Sequence, residues 1–210
     1  MNRGRILEAW RKKIAAGAPL RGGPAGPDFI TVVDLTVAGL LPLADANARS
    51  LEKTRSRAVA SGSTPLIAGV CATDPLRLMR NFLEEMKAAG AAGVQNAPSV
   101  GMIDGGFRKS VEDTRLGYER EVEMIALASK MDLVASAVAF TPEEATRMVE
   151  AGADVVVASP GVSDLKTWPR RLTEIATAAR EAGKGVLVFA IGSEGDGVDG
   201  IQSTDGRTIV

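Results

Sequence analysis

Three times in this chain an amphipathic helix runs into Ala-Gly and then into an apolar strand. Ala89-Gly90 precedes Gly93-Val94, Ala151-Gly152 precedes Val155, and Ala182-Gly183 precedes Val186. The glycines lie 62 and 31 residues apart, two to one, as expected when units of one kind are stacked. Helix, C-capping glycine, apolar strand, polar loop, helix is the rhythm of βαβ units, and it demands a parallel sheet with right-handed crossovers. Residues 29–34, 65–70, 92–96, 133–140, 155–158 and 186–190 read as strands, with a further short one at 198–202. Helices are expected over 45–60, 75–89, 117–130, 142–151 and 168–182. An opening helix carries Ile6, Leu7, Trp10 and Ile14 on one stripe and ends at Gly17. Residues 21–27, rich in Gly and Pro, are expected to break any regular element, and a long loop follows the strand at 92–96.

No glycine fingerprint of a dinucleotide fold follows the first strand. Six or more evenly spaced strands rich in Ala, Gly and Val favour closure into a (β/α) barrel. A complete barrel usually needs ~250 residues, and this chain has 210. The expected fold is therefore α/β, a shortened or incomplete TIM-type barrel forming a single domain over residues 1–210. The helix of residues 1–17 is expected to pack on the barrel or on a partner subunit. One side should be short of strands, a gap that a second copy could cover.

Charge and composition narrow the function. With 25 basic and 26 acidic residues, nothing gathers phosphate backbones or anionic lipid, which excludes nucleic acid and membrane surfaces as partners. No stretch approaches the ~20 apolar residues of a membrane span, and the charged N-terminus is unlike a secretory signal, so a cytoplasmic location is expected. Cys71 stands alone, leaving no internal disulfide and no cysteine metal cluster. There is no histidine at all. Ser-His and Cys-His nucleophiles and imidazole zinc sites are excluded, and acid–base work falls to carboxylates, Tyr, Lys, Cys or water. Every Lys lies outside the expected strands, which argues against imine chemistry inside a barrel.

In a barrel the loops after the strands form the working face. The candidates there are Asp34, Thr73, Asp74, Asn96, Ser99, Ser159, Ser193 and Glu194. Asp74, just before Pro75, reads first as a helix cap, and both roles put it at the barrel mouth. Cys71 reads as a small buried hydrophobe or as a thiol at a strand end. Thr141 and Glu144 form a capping box with no functional role. The stretch from Gly192 to Gly197 has the glycine content of a phosphate cradle, but Glu194 and Asp196 would repel a dianion, so it reads as a surface turn. In the helix over 117–130, Tyr118 and Glu121 fall beside the buried face. Glu121 is either a helix-start carboxylate favoured by the macrodipole or a general acid–base, with Tyr118 as a second proton carrier.

Five ordered motifs are specific: Ala38-Gly-Leu-Leu-Pro-Leu-Ala-Asp-Ala-Asn47, Ala68-Gly-Val-Cys-Ala-Thr-Asp-Pro75, Gly93-Val-Gln-Asn-Ala-Pro98, Gly101-Met-Ile-Asp-Gly105 and the segment from Gly117-Tyr118 to Ile125. Together they resemble the phosphoenolpyruvate-hydrolase-like TIM-barrel proteins, which are also similar to the barrel domain of a plant tobamovirus-resistance protein. The resemblance implies a TIM barrel, a homo-oligomer, and chemistry on phosphoenolpyruvate or phosphonopyruvate with Mg²⁺. Asp45, Asn47, Asp74, Gln95, Asn96, Asp104, Tyr118 and Glu121 match its motifs. The chain departs from it in three places. It lacks the long Gly-rich first unit. Ala158-Ser-Pro-Gly-Val162 and Phe189-Ala-Ile-Gly192 stand where the sixth and seventh strands of the family tend to end in histidine.

The expected activity is acid–base catalysis at a carbon centre of a small molecule, lyase- or hydrolase-like on an enol or 2-oxo acid. Glu121 is the main proton carrier, Tyr118 and Asp74 assist, and Asn96, Gln95, Asp45, Asn47 and Ser159 bind the substrate. Two alternatives stay open. One is a repurposed barrel that condenses or cyclises an organic substrate, of aldol or Pictet-Spengler type, in specialised metabolism. The other is a non-catalytic binding scaffold. An enzyme should gather these groups in a concave pocket, whereas a scaffold should tie them up in caps and salt bridges. A phosphate-bearing substrate would bring Mg²⁺ with it.

Overall fold

Residues 20–23, overlapping the stretch at 21–27 expected to break regular structure, form strand β1 (Leu20–Gly23). β1 pairs in parallel with β2 (Phe29–Val32) on one side and with β8 (Gly200–Gln202) on the other. The sheet therefore closes, and the gap expected in the barrel, with a partner to cover it, does not exist. The computed structural model describes residues 2–33, 40, 45–161, 166–192, 195 and 197–204. Over these the fold is an α/β barrel of eight parallel strands in sequence order. The chain is shortened in its connections: residues 24–28 alone separate β1 from β2, and residues 192–199 separate β7 from β8.

The other strands are β3 (Leu66–Val70), β4 (Gly93–Asn96), β5 (Val134–Ala139), β6 (Val155–Ala158) and β7 (Leu187–Ile191). Every residue of these five is buried, which is why none alternates buried with exposed; β3, β6 and β7 read as continuous runs of apolar residues and glycine, while β4 carries the buried polar Gln95 and Asn96 and β5 the buried Ser136. The helices are α1 (Arg3–Ala15), α2 (Ala46–Ser61), α3 (Met79–Ala88), α4 (Gly105–Asp113), α5 (Tyr118–Lys130), α6 (Pro142–Glu150) and α7 (Trp168–Ala182). α4 occupies what was expected to be loop, and α3 begins four residues after Pro75. Gly90 and Gly152 have positive φ (100° and 99°), as a left-handed C-cap requires. Gly183 does not: it is extended, and a Cβ there would lie 2.4 Å from Val149 Cγ1, so close approach selects the glycine.

α1 packs on this barrel at its lower end. Trp10 meets Phe29 of β2 and Phe189 of β7 at ring-centroid distances of 5.2 and 6.1 Å, and the two phenyl rings stack at 5.4 Å. Arg3 clamps Asp154 through Nε and Nη2 (2.9 and 2.8 Å) and donates to the Ser129 carbonyl. Asp154 also accepts from Ala135 N–H, so one carboxylate ties the helix to the start of the sheet. No helix of the described residues is long and apolar enough to cross a membrane.

Candidate functional site

Inward positions alternate along the strands, and the registers fix which of them share a level. Thr31 pairs with Ile67, and Ile67 with Gly93. Because strands tilt in a barrel, each step to the next strand drops one residue in height, so Gln95 stands level with Thr31. From Gln95 through Ser136 and Val155 the level returns at Val157. From Val157 through Phe189 and Gly200 it returns at Gln202. From Gln202 through Gly22 and Phe29 it comes back to Thr31. The circuit closes on its starting residue, and Thr31, Gln95, Val157 and Gln202 form one layer of four from alternate strands. Neither amide atom of Gln95 or Gln202, nor the Thr31 hydroxyl, has a hydrogen-bond partner, although all three residues are buried.

Behind the sheet, between β4, β5 and α5, lies a second polar group. Glu121 is 0% exposed. Its Oε2 accepts from Asn96 Nδ2 (2.6 Å) and Ser99 Oγ (2.7 Å), and its Oε1 accepts from Val100 N–H (2.7 Å). Asn96 also brackets the backbone of Val138, accepting from its N–H (2.6 Å) and donating to its carbonyl (3.2 Å). The Tyr118 hydroxyl donates to the same carbonyl at 2.7 Å. Arg108 of α4 lies 5.5 Å from the centre of the Tyr118 ring, pairs with Glu112 and Glu144, and donates to Val100 O. Burial pushes the Glu121 carboxyl up to about 7 against the pull of its three donors. Burial also holds the Tyr118 phenol well above its ordinary range.

A third group organises the rim after β3. Asn47 at the start of α2 accepts from Cys71 N–H and donates to Cys71 O and to Asp74 Oδ2. Asp74 accepts from Leu76 N–H, a local turn two residues on rather than a cap on α3. Asp45 caps α2 by accepting from Ala48 N–H, which, with Arg77, holds its carboxyl below the usual range. Arg77 bridges Asp45 (2.7 Å) and Asp74 (3.3 Å). Cys71 Sγ lies 3.5 Å from Thr73 Oγ1, and burial raises its thiol, so the thiolate is disfavoured.

The residues expected to form one site thus fall into neighbouring groups. Glu121, Asn96, Ser99 and Tyr118 meet; Asp45, Asn47 and Asp74 meet; Gln95 points into the lumen, as does Ser159 above Val157 by strand alternation. Asp34, Ser193, Glu194 and Asp196 lie outside the described residues. Asp104 precedes α4 without capping it through its side chain. Thr31, Gln202, Arg77 and Arg108 were not anticipated. The signal available for the first two was a polar residue at an inward position of a short apolar strand. Two open grooves on the outer surface, one lined from α6–α7 and one from α2–α3, contain none of these residues. The Mg²⁺ implied by the resemblance needs free carboxylate edges. On the rim, Asp45 and Asp74 are already engaged by Arg77, and no group of three or more potential ligands gathers among the described residues. These residues do not fit the ion.

A profile of the phosphoenolpyruvate hydrolase-like family matches residues 29–194. Over 179 residues the chain is 42% identical to the ToMV resistance protein Tm-1(GCR237) of Solanum lycopersicum, covering 75% of this chain and 24% of that protein. It thus spans about a quarter of the length of this relative. It is 31% identical over 148 residues to the uncharacterized protein y4oT of Sinorhizobium fredii, covering 70% of this chain and 72% of that one. Among solved structures, the tryptophan synthase α subunit of Legionella pneumophila superposes with a TM-score of 0.59 at 14% identity, covering 97% of this chain and 86% of its own. A provisionally assigned lyase/mutase of Burkholderia cenocepacia gives 0.58 at 18%, covering 97% and 82%. Those two likenesses are of fold.

Proposed function

Because the chain belongs to the phosphoenolpyruvate hydrolase-like family, we propose that it is a small-molecule enzyme of lyase or hydrolase type, working by proton transfer at carbon on a compact enol or 2-oxo acid. The observation that carries this reading is Glu121. It is a carboxyl sealed from solvent at the C-terminal end of β4, cradled by Asn96, Ser99 and the Val100 amide, and able to keep or release a proton near neutral pH. Its oxygens do not face the lumen directly. Ser99 Oγ, which donates to Glu121 and accepts from Gly101 N–H, joins the carboxyl to the rim loop and is the route for the proton. Tyr118, whose hydroxyl is committed to Val138 O, acts as a positioning residue. Asp45, Asn47, Asp74 and Arg77 hold the rim after β3, and Gln95 and Ser159 face the substrate.

Turnover of phosphoenolpyruvate, oxaloacetate and other 2-oxo acids tests the assignment. Glu121→Gln should lower kcat at least ~100-fold, while Tyr118→Phe should cost less than ~10-fold. Equal rates for wild type and Glu121→Gln would remove Glu121 from the chemistry. A condensing or cyclising enzyme would use the same proton carrier and differ in joining two carbon centres, which product analysis separates. A non-catalytic binding barrel is the second reading. It is favoured by the caps and ion pairs that occupy Asp45, Asn47 and Asp74, and by Leu76 and Leu78, which stand 92% and 75% exposed on the same rim turn. Wild-type inactivity on every enol and 2-oxo acid would support that second reading. Self-association of the chain is likewise proposed and is checked by sedimentation.

A further inference from the structure

Six buried side-chain atoms of the described residues lack a hydrogen-bond partner, and five belong to a single layer of the barrel: Thr31 Oγ1 and both amide atoms of Gln95 and of Gln202. The sixth, Thr54 Oγ1, is on α2. The three lumen side chains share a level, yet no polar atom of one makes a hydrogen bond to another. Buried amides without partners are costly and rare, so a layer that keeps two of them needs a physical reason. The groups on offer are of both kinds: two oxygens that accept, two nitrogens that donate and a hydroxyl that does either. A carboxylate or a fully ionised phosphate ester only accepts, and would leave both amide oxygens bare. No Lys or Arg occupies an inward position of the described strands to neutralise such an anion; Arg21 of β1 alternates outward and is exposed.

We propose that this layer is a recognition site for a small uncharged group that both donates and accepts hydrogen bonds: a carboxamide, a lactam, or the hydroxyl end of an enol or hydroxy compound. Val157 forms its apolar fourth side. The proposal goes beyond the role given to Glu121 and does not depend on it. For an enol or 2-hydroxy acid, the layer would take the hydroxyl end downward and leave the carboxylate toward the rim, where Ser159 follows Val157 on β6.

The test is a ¹H–¹⁵N NMR titration of the full chain, following the side-chain NH₂ signals of Gln95 and Gln202. These are assigned with Gln95→Met and Gln202→Met. Acetamide and lactamide should shift both pairs saturably, while acetate and fully ionised methyl phosphate leave them in place. The double Met variant, similar in volume, should bind lactamide at least about tenfold more weakly and, without ligand, unfold at a higher temperature than wild type. Three results would overturn the proposal. The first is no saturable shift with any probe, which leaves water alone in the layer. The second is an equal response to the anions. The third is undiminished lactamide binding by the double variant. The wild-type titration decides the first two even if that variant fails to fold, and none of these outcomes bears on the turnover of Glu121→Gln.

Discussion

Glu121 sits between opposing pulls. Desolvation favours the neutral acid, and the negative charge of Glu144 pushes the same way; the hydroxyl of Ser99, the amide of Asn96 and the Val100 N–H favour the carboxylate. The balance near 7, against an ordinary value of 4.5, means that the folded protein retains a proton that the unfolded chain gives up as pH rises between those values. The contribution to stability is therefore fully present below 4.5, falls as pH rises through this window and levels off above about 7, for a total on the order of 3 kcal/mol. Glu121→Gln cannot titrate. Relative to wild type it should gain about 2 kcal/mol between pH 5 and pH 8, measured by urea unfolding at both pH values. A constant difference would show that Glu121 does not titrate in this range. The position of this carboxyl was legible from helical spacing, which sets Glu121 on the buried side of its helix. Its cradle was not, because Ser99 and Val100 are aimed by a loop whose path depends on Arg108 and on the bracketed backbone of Val138.

At the scale of elements, β1 shows why a glycine-rich stretch was misread. Gly22 and Gly23 look like breakers, but a Cβ on Gly22 would lie 1.9 Å from the Phe29 ring. The glycine is selected by the aromatic side chain of the next strand, a relation between two strands that no local pattern contains. Gly22→Ala should push Phe29 off its stack with Phe189 and cost about 1–3 kcal/mol, visible as a lower urea midpoint. An unchanged midpoint would mean that the ring has room to move. The other seven strands and the long helices fall on their expected runs, with β6 and α7 found at the expected residues. α4 was invisible because Gly105 and Gly106 open it and none of its residues is buried, so it carries no core stripe.

For the molecule as a whole, closure depends on its first helix and its last strand. β8 and β1 complete the ring, and Trp10 fills the lower end against Phe29 and Phe189. Trp10→Ala should cost about 3–5 kcal/mol and lower the cooperativity of thermal unfolding, which calorimetry would reveal. If α1 merely rested on the outside, the loss would stay within ~1 kcal/mol. The barrel was legible from the strand count and spacing, but its completeness was not: a tally against usual length assumes a helix between every pair of strands, and residues 24–28 manage without one. A tube stoppered by an indole at one end is a cup, with only its upper opening left for traffic. Anything lodged deep inside must back out through the doorway by which it came. If the proposed layer takes a guest, occupancy there is a queue of one, and each occupant shuts out the next arrival until it has gone.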